Sequence, residues 1–154
     1  MDYGLFFTYL AACGAAAATG AMFSPGAWYK TLEKPSWTPP DWVFPVAWTT
    51  LYLCMSLAAM RVGMSGHPGA PMALGFWAVQ IALNTLWSPV FFGLRRMRAA
   101  LIVVSFLWLA VAVTLLAFAR IDWVAGMLFV PYLVWVTIAT ALNASVLRRN
   151  PAMA

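Results

Sequence analysis

Charged residues are scarce in this sequence. Nine basic and four acidic side chains make up only 8% of the 154 residues, and the chain is 64% hydrophobic. A soluble domain carries about 25% charged residues. The composition therefore excludes an ordinary soluble globular domain.

Residues that ligate metals or form disulfides are also few. The only histidine, His67, lies in the Gly- and Pro-rich stretch "GMSGHPGAP", and the two cysteines, Cys13 and Cys54, fall inside long apolar runs. Such placement argues against a disulfide framework and predicts no metal site. We expect both cysteines to be small packing residues.

Acid–base machinery is missing from the apolar runs. The four carboxylates, Asp2, Glu33, Asp41 and Asp122, fall at loops or at the ends of the runs. This placement argues against a proton-relay pump, which needs ionisable groups at membrane depth. The sequence also lacks a phosphate-binding Gly loop, an HExxH motif and a nucleophile elbow.

Five long uncharged runs remain, and each has at least about 19 residues, close to the length of about 20 that crosses a bilayer as a helix. They predict an all-α integral membrane protein in which 1–154 form a single domain of five transmembrane helices. Since no positive charge precedes the first run, we expect a membrane span rather than a cleaved signal peptide. The predicted spans cover 5–22, 43–60, 72–93, 99–119 and 124–147.

The net charge of +5 is best explained by topology, and we expect no nucleic-acid partner. Five spans put seven basic residues on the side of the C-terminus: Lys30, Lys34, Arg95, Arg96, Arg98, Arg148 and Arg149. Only Arg61 and Arg120 fall on the opposite side. By the positive-inside rule, the N-terminus lies outside, and the C-terminus and first loop are cytoplasmic.

The loop at 24–41, between the first two spans, has an unusual composition. The stretch "WYKTLEKPSWTPPDWVFPVAW" (28–48) holds four of the nine tryptophans, four of the ten prolines and four charged residues. Proline interrupts any long helix, so short helical turns are expected only around 28–34. We expect the C-terminal "RRNPAMA" to be a frayed polar tail.

Polar and aromatic residues share helical faces in three spans. They follow spacings of i, i+4 and i+7 and comprise Trp48, Tyr52 and Met55; Gln80, Asn84, Trp87, Ser88 and Phe91; and Tyr132, Trp135, Ala139, Leu142 and Asn143. Polar groups within a span normally point inward. They indicate either a flat aromatic pocket or hydrogen-bonded contacts between helices, and the spacing leaves both open.

Small residues form a second pattern. Ala12, Ala16 and Gly20 recur every four positions in the first span, as do Gly14 and Ala18, and Ala78 and Ala82 do so in the third. Such ridges let helices approach closely in lipid, and they predict a homodimer.

Three long stretches carry a family resemblance. "WYKTLEKPSWTPPDWVFPVAWTTLY" (28–52), "QIALNTLWSPVFFG" (80–93) and "PYLVWVTIATALN" (131–143) resemble the tryptophan-rich sensory protein/translocator protein family. The resemblance implies a five-helix bundle, usually dimeric, with a ligand cavity closed by the first loop. It also implies binding of porphyrin, haem or other tetrapyrroles as ligands rather than covalent cofactors, and binding of isoquinoline carboxamides.

The family motifs map onto particular positions. Trp48 stands in "W-x-x-L-Y", Trp135 in "P-Y-x-x-W" and Asn84 in "L-N-x-x-W-S-P". The resemblance implies that the two indoles face a bound ring and that the amide bonds a ligand carbonyl. Further expected ligand-binding residues are Tyr52, Trp87, Ala139 and Leu142 as cavity lining, and Lys30 and Lys34 as partners of an acidic substituent.

The leading hypothesis is a membrane tetrapyrrole-binding sensor or regulator. Some family members degrade porphyrin under light and oxygen, so Trp48 and Trp135 are candidate catalytic residues. The alternatives are a transporter of porphyrins, sterols or other small lipophilic molecules, and a scaffold whose cavity is only packing. The aromatic residue of the animal cholesterol-recognition pattern is missing, since Ala144 and Ser145 stand in its place; this argues against sterol transport.

Overall fold

The computed structural model describes residues 1–153, which form helices joined by loops and turns, with no strand among them. The prediction of an all-α protein is therefore confirmed. The segments are α1 (Tyr3–Met22), α2 (Ala27–Thr31), α3 (Val43–Gly63), α4 (Ala70–Ser88), a π-helical turn (Pro89–Gly93), α5 (Met97–Ile121), α6 (Trp123–Arg149) and a 3-10 turn (Pro151–Met153). The short α2 lies where helical turns were predicted in the first loop.

Four of these helices, α1, α3, α5 and α6, are long and apolar enough to cross a membrane. They coincide with four of the five predicted spans. The remaining long helix, α4, has 19 residues and carries the amides of Gln80 and Asn84, which lower its apolar character. The fifth span stays a prediction.

Aspartate caps determine where two helices begin. The Asp2 carboxylate accepts the backbone N–H of Leu5 at 2.9 Å and starts α1. Asp122 separates α5 from α6, and its carboxylate accepts the N–H groups of Val124 and Ala125 at 2.9 and 3.2 Å. Each cap satisfies donors that the first helical turn leaves without partners.

An ion pair ties the α5–α6 turn to α3. Arg61 Nε donates to Asp122 Oδ2 at 2.7 Å. Burial alone would raise the pKa of Asp122, but the Arg61 guanidinium and two backbone N–H groups outweigh it and hold the pKa below its ordinary value. Three helices therefore meet at one charged contact, at the end of the bundle opposite the first loop.

The third predicted span, 72–93, is not one uniform helix. The α-helix covers Ala70–Ser88, and Pro89–Gly93 form a π-helical turn that closes with the Leu94 N–H donating to the Pro89 carbonyl at 2.8 Å. The wider turn begins at Pro89, which has no N–H for the α-helical ladder, although Pro131 lacks the same group and lies inside α6. With this change of pitch, the rings of Phe91 and Phe92 lie against the first loop.

Small residues bring the helices together. Helix α1 packs on α3 and α4, while α6 packs mainly on α5 and α3. At the α1 contact the interior is made by Cys13, Ala16, Ala58, Ala59 and Ala73, all nearly inaccessible. In lipid, packing of this kind replaces the hydrophobic effect as the main source of helix association.

Candidate functional site

Three of the predicted site residues form one aromatic cluster between α3 and α6. The Trp48 and Tyr52 rings stack with centroids 5.5 Å apart, and the Trp135 ring meets Trp48 edge-on at 6.4 Å. Buried Tyr132 also meets Trp48 edge-on, at 6.1 Å, and Phe44 covers Trp135 at 5.5 Å. The aromatic faces predicted on two spans therefore pack against each other.

Asn84 connects this cluster to α4. Its Oδ1 accepts the Tyr52 hydroxyl at 3.1 Å, and its Nδ2 donates to the Tyr132 hydroxyl oxygen at 2.9 Å. The side chain is 7% exposed. An amide has two N–H donors and two acceptor lone pairs, so within residues 1–153 Asn84 uses half of its capacity. The amide thus bridges three helices and retains one donor and one acceptor.

Trp87 belongs to a second polar contact, nearer the first loop. Its indole N–H donates to Asn143 Oδ1 at 3.2 Å, and Asn143 Nδ2 donates to the Met97 carbonyl at 3.1 Å. The Trp87 ring stacks on Phe91 with centroids 5.2 Å apart. Trp87 therefore links α4 to α6 and supports the π-helical turn.

The two remaining lining residues lie on α6. Half-buried Ala139 packs against the same buried core cluster as Trp48 and Trp135. Leu142 is buried in a separate cluster with Leu32 of the first loop and with Phe91. Trp87 packs against both clusters, so the predicted lining residues extend from the bundle interior towards the loop.

The loop of residues 24–41, called the lid below, covers the end of this path. Trp28 and Tyr29 meet Phe91 edge-on at 5.8 and 6.3 Å, and Tyr29 also meets Phe92 at 5.4 Å. Leu32 inserts between these rings and α6 and is 4% exposed. The lid is therefore anchored by aromatic and aliphatic contacts.

The two lid lysines have different surroundings. Lys34 Nζ donates to the carbonyls of Tyr29 and Leu32 at 2.8 and 3.1 Å and lies 4.6 Å from the centre of the Tyr29 ring. Lys30 is exposed on α2. Tyr29, the ring beside Lys34, is itself partly buried. Its burial, and secondarily the negative charge of Asp41, raises the pKa of its phenol. Lys34 thus holds the lid in shape, whereas Lys30 projects towards solvent.

Asn150 is a site residue that the sequence analysis missed. Its Oδ1 accepts the Glu33 N–H and its Nδ2 donates to the Glu33 carbonyl, both at 2.9 Å. The side chain is 8% exposed and also donates to the Val146 carbonyl at 2.8 Å. The expectation of a frayed tail is therefore wrong at this position, because a backbone partner in the lid holds it. The Asn-Pro pair, which favours a turn, was the one available signal.

Deep in the bundle, one amide is only partly satisfied. Gln80 is fully buried on α4, and its Nε2 lies 3.7 Å from the sulfur of Met55. Its Oε1 has no hydrogen-bond partner within residues 1–153. The neighbouring Ser56 hydroxyl donates to the Tyr52 carbonyl at 2.8 Å. The interior next to the aromatic cluster therefore keeps an acceptor available.

The residues described show no group of three His, Cys, Asp or Glu side chains that could hold a metal ion. His67 lies in the outer turn, where its Nδ1 accepts the Gly69 N–H at 3.0 Å. The groups that could contact a ligand are therefore indoles, phenols and amides.

Comparison with known proteins gives consistent matches. The sequence model describing the TspO/MBR family matches residues 7–149. The protein CrtK of Rhodobacter capsulatus is 55% identical over 98% of this chain and 96% of its own length. The tryptophan-rich sensory protein of Cereibacter sphaeroides is 58% identical over 97% of this chain and 94% of its own. The translocator protein of Homo sapiens is 40% identical over 80% of this chain and 75% of its own.

Proposed function

We propose that this chain, which belongs to the TspO/MBR family, is a membrane sensor or regulator that binds a tetrapyrrole such as protoporphyrin IX or haem. Membership of the family and four apolar helices make it an integral membrane protein. The proposal includes α4 as a fifth span, and it places the lid and the C-terminus on the cytoplasmic side, where the basic residues are concentrated.

The observation that carries the proposal is the cluster of Trp48, Tyr52 and Trp135 beside Asn84. Indole and phenol rings offer flat apolar surfaces, and the unused donor of Asn84 suits a ligand carbonyl. An isoquinoline carboxamide would use the same surfaces and the same amide. If these residues served only to join helices, the amide of Asn84 would be sufficient, and the indoles of Trp48 and Trp135 would not be required beside it.

Binding requires movement, since the cluster is closed. The rings of Trp48 and Trp135 already meet edge-on. A ligand ring needs about 3.5–4.0 Å between its carbon atoms and those of each ring that it contacts, and no such space separates the two indoles. A flat ring enters only if these side chains separate, and the lid is the adjoining segment that covers their path. We therefore assign the lid a gating role, with exposed Lys30 available to an acidic substituent and Lys34 released from its carbonyls if the lid opens.

Porphyrin degradation is proposed as a secondary activity. A bound porphyrin would absorb light and, with oxygen, supply the oxidising power. The chain would hold the indoles of Trp48 and Trp135 against the ring as redox partners and would exclude bulk water, with oxygen as the terminal electron acceptor. No general base is required for this role.

The test of the main proposal is a titration of the purified protein with protoporphyrin IX in the dark. Porphyrin absorbance and tryptophan quenching are followed for the wild type and for Trp48→Phe/Trp135→Phe. We expect saturable binding that weakens about tenfold in the double variant, because each phenylalanine ring covers less apolar area than the indole it replaces. Trp123→Phe, at a residue 72% exposed, is the matched control. Linear quenching, or equal affinity in all three proteins, would refute the proposed site.

A transporter of small lipophilic molecules is the second candidate. Its support is the 40% identical human relative that bears the name translocator protein, together with a lid over one end of the site. Flux of protoporphyrin IX across sealed vesicles distinguishes the two functions. Transport down a gradient favours this candidate, and binding without flux favours the sensor.

We also propose a homodimer. Ala78 and Ala82 are exposed on one face of α4, as are Gly14 and Ala18 on α1, so these small residues are available to a second copy. The other small-residue ridge of α1 is not, because Ala16 is buried within the bundle. Crosslinking between cysteines introduced at 78 and 82 in native membranes would report the contact. Exclusively monomeric protein under those conditions would contradict it.

A further inference from the structure

A surface groove runs between α5 and α6, away from the aromatic cluster. Its volume is about 540 Å³. The lining residues are small, hydroxyl-bearing or aromatic: Ser105, Trp108, Leu109, Thr137, Thr140, Ala141 and Ala144. The groove lies on two of the helices that are apolar enough to span a membrane, so its natural environment is lipid.

The groove presents no available hydrogen-bond donor to an occupant. The hydroxyls of Ser105, Thr137 and Thr140 each donate to a carbonyl one turn earlier, at 2.7–2.8 Å. The Trp108 indole N–H donates to the Thr137 oxygen at 2.8 Å. With its donors satisfied internally, the surface of the groove suits a hydrocarbon chain.

Helical periodicity places arginines at one end of the groove. Arg98 lies 7 and 11 positions before Ser105 and Leu109 on α5, and Arg148 lies 4 and 11 positions after Ala144 and Thr137 on α6. These spacings keep each arginine on the face that lines the groove. The 3.1 Å bond from Asn143 to the Met97 carbonyl shows that the start of α5 lies beside the end of α6. Both arginines are therefore at the same end.

A second, smaller concavity marks this end. It measures about 220 Å³ and is lined by Ser145, Arg148 and Arg149. Arg149 Nε donates to the Ser145 hydroxyl at 3.3 Å, which holds its guanidinium near the helix. Ala144 lines the groove and Ser145 lines this concavity, so neighbouring residues of α6 border both.

We propose that this groove binds an anionic phospholipid, with an acyl chain along α5 and α6 and the phosphate between Arg98, Arg148 and Arg149. Basic pockets between membrane helices commonly hold anionic head groups. Charge decides between occupants: a second copy related by a two-fold axis along the bilayer normal would bring the same arginines together and be repelled. A neutral sterol would leave them unused.

Native mass spectrometry of delipidated protein tests the site. The protein is offered phosphatidylglycerol and phosphatidylcholine with identical acyl chains, and the retained adducts are compared. The variants are Arg98→Gln/Arg148→Gln at the head-group end and Ala141→Phe in the groove. Arg95→Gln is the same-side control, because the Arg95 guanidinium lies towards the Trp28 ring of the lid, 5.9 Å from its centre.

We expect the wild type to retain phosphatidylglycerol in preference to phosphatidylcholine. Each arginine removed should reduce that preference about fivefold, since a basic residue near an anionic surface contributes about 1 kcal/mol. Arg95→Gln should behave as wild type, and Ala141→Phe should lose both lipids while keeping its helical circular dichroism.

Three results would overturn the assignment. Equal retention of the two lipids by the wild type would show that the arginines do not recognise the head group. If Arg95→Gln lost as much of the preference for phosphatidylglycerol as Arg98→Gln/Arg148→Gln, the preference would reflect general charge attraction. If Ala141→Phe converted a dimer to a monomer without changing lipid retention, the groove would be an interface between copies instead. The proposal does not depend on tetrapyrrole binding.

Discussion

Asn150 and Glu33, 117 positions apart, are joined by two hydrogen bonds of 2.9 Å in which one side-chain amide satisfies both backbone groups of the other residue. This pair fixes the lid to the end of α6. Other anchors of the lid are ring contacts and buried Leu32, so Asn150 provides its main directional attachment.

Replacing Asn150 should loosen the lid. Asn150→Asp keeps the shape of the side chain and an acceptor for the Glu33 N–H but loses both donated bonds, and Asn150→Ala loses all three. Net hydrogen bonds contribute about 0.5–1.5 kcal/mol each. We therefore expect amide hydrogen exchange within 24–41 to accelerate about threefold to tenfold in the Asp variant and further in the Ala variant.

Exchange in the second half of α5, beyond the cluster that Met97 and Ala100 form with Leu32 of the lid, serves as the internal control and should stay unchanged. Uniform acceleration over the whole chain would indicate global destabilisation. Unchanged exchange in the lid would show that its ring contacts are sufficient.

The hydrogen bonds that join Asn84 to Tyr52 and Tyr132 should contribute measurably to stability. Tyr132→Phe removes the acceptor of Asn84 Nδ2 and nothing else in the ring. Hydrogen bonds between membrane helices average about 0.6 kcal/mol and reach about 1.7, so the free energy of unfolding should fall within that range. Tyr3→Phe, at a residue 64% exposed, is the control, and unfolding in detergent is the measurement. Equal stability of the two variants would contradict the bridge.

The contact between α5 and α6 near their shared turn predicts a sharp steric effect. A Cβ added at Gly126 would lie 2.5 Å from the Ala119 Cβ and 2.7 Å from its Cα. Gly126→Ala must therefore push the two helices apart, and overpacking of this kind costs about 1–3 kcal/mol. The melting temperature of the purified protein should fall clearly.

Gly75 offers the matched comparison, since a Cβ there meets no atom within 4 Å. Alanine favours a helix over glycine by up to about 1 kcal/mol, so Gly75→Ala should be neutral or stabilising. Similar melting temperatures for the two variants would argue that the helix ends adapt without strain.

The Arg61–Asp122 pair predicts a stability that depends on acid. Because the folded-state pKa of Asp122 lies below its ordinary value, the ionised form stabilises the fold above about pH 4. This contribution disappears as the pH falls through the depressed folded-state pKa. Asp122→Asn keeps a helix cap but removes the charge.

We expect Asp122→Asn to melt below the wild type at pH 6 by an amount equivalent to about 0.2–1 kcal/mol, as for exposed ion pairs. The difference should shrink steadily at pH values below about 4. Asp2→Asn is the control, because Asp2 caps α1 without an ion-pair partner in residues 1–153. A constant difference across pH would exclude the ion pair as its cause.

The bundle was largely predictable from the sequence because lipid imposes simple rules. A backbone without water must satisfy its own hydrogen bonds, so uncharged runs indicated helices, and spacing indicated which faces are inward. Gln80, Asn84 and Asn143 are buried accordingly.

The details of the lid were not predictable in the same way. Lys34 was expected to offer its charge to a ligand, but it donates to two carbonyls of its own loop, a geometry that depends on how the prolines turn the chain. Contact between Lys34 and an acidic group of a ligand stays a prediction. Asn150 was assigned to a tail because polar residues after a helix are usually solvated, and no local pattern identifies a backbone partner so far away. Proline did not predict the π-helical turn at Pro89 either, because Pro131 also lacks an N–H and lies within α6.

The long separation between Glu33 and Asn150 also has a consequence for the order of events during synthesis. Chains grow at about 5–20 residues per second, so roughly 6–23 s pass between the addition of Glu33 and that of Asn150. The lid cannot be secured by Asn150 until the later helices have been made and inserted. Until α6 is complete, a newly made chain can therefore hold the lid only by the ring contacts of Trp28 and Tyr29 with Phe91 and Phe92, and its directional attachment is the last one to form.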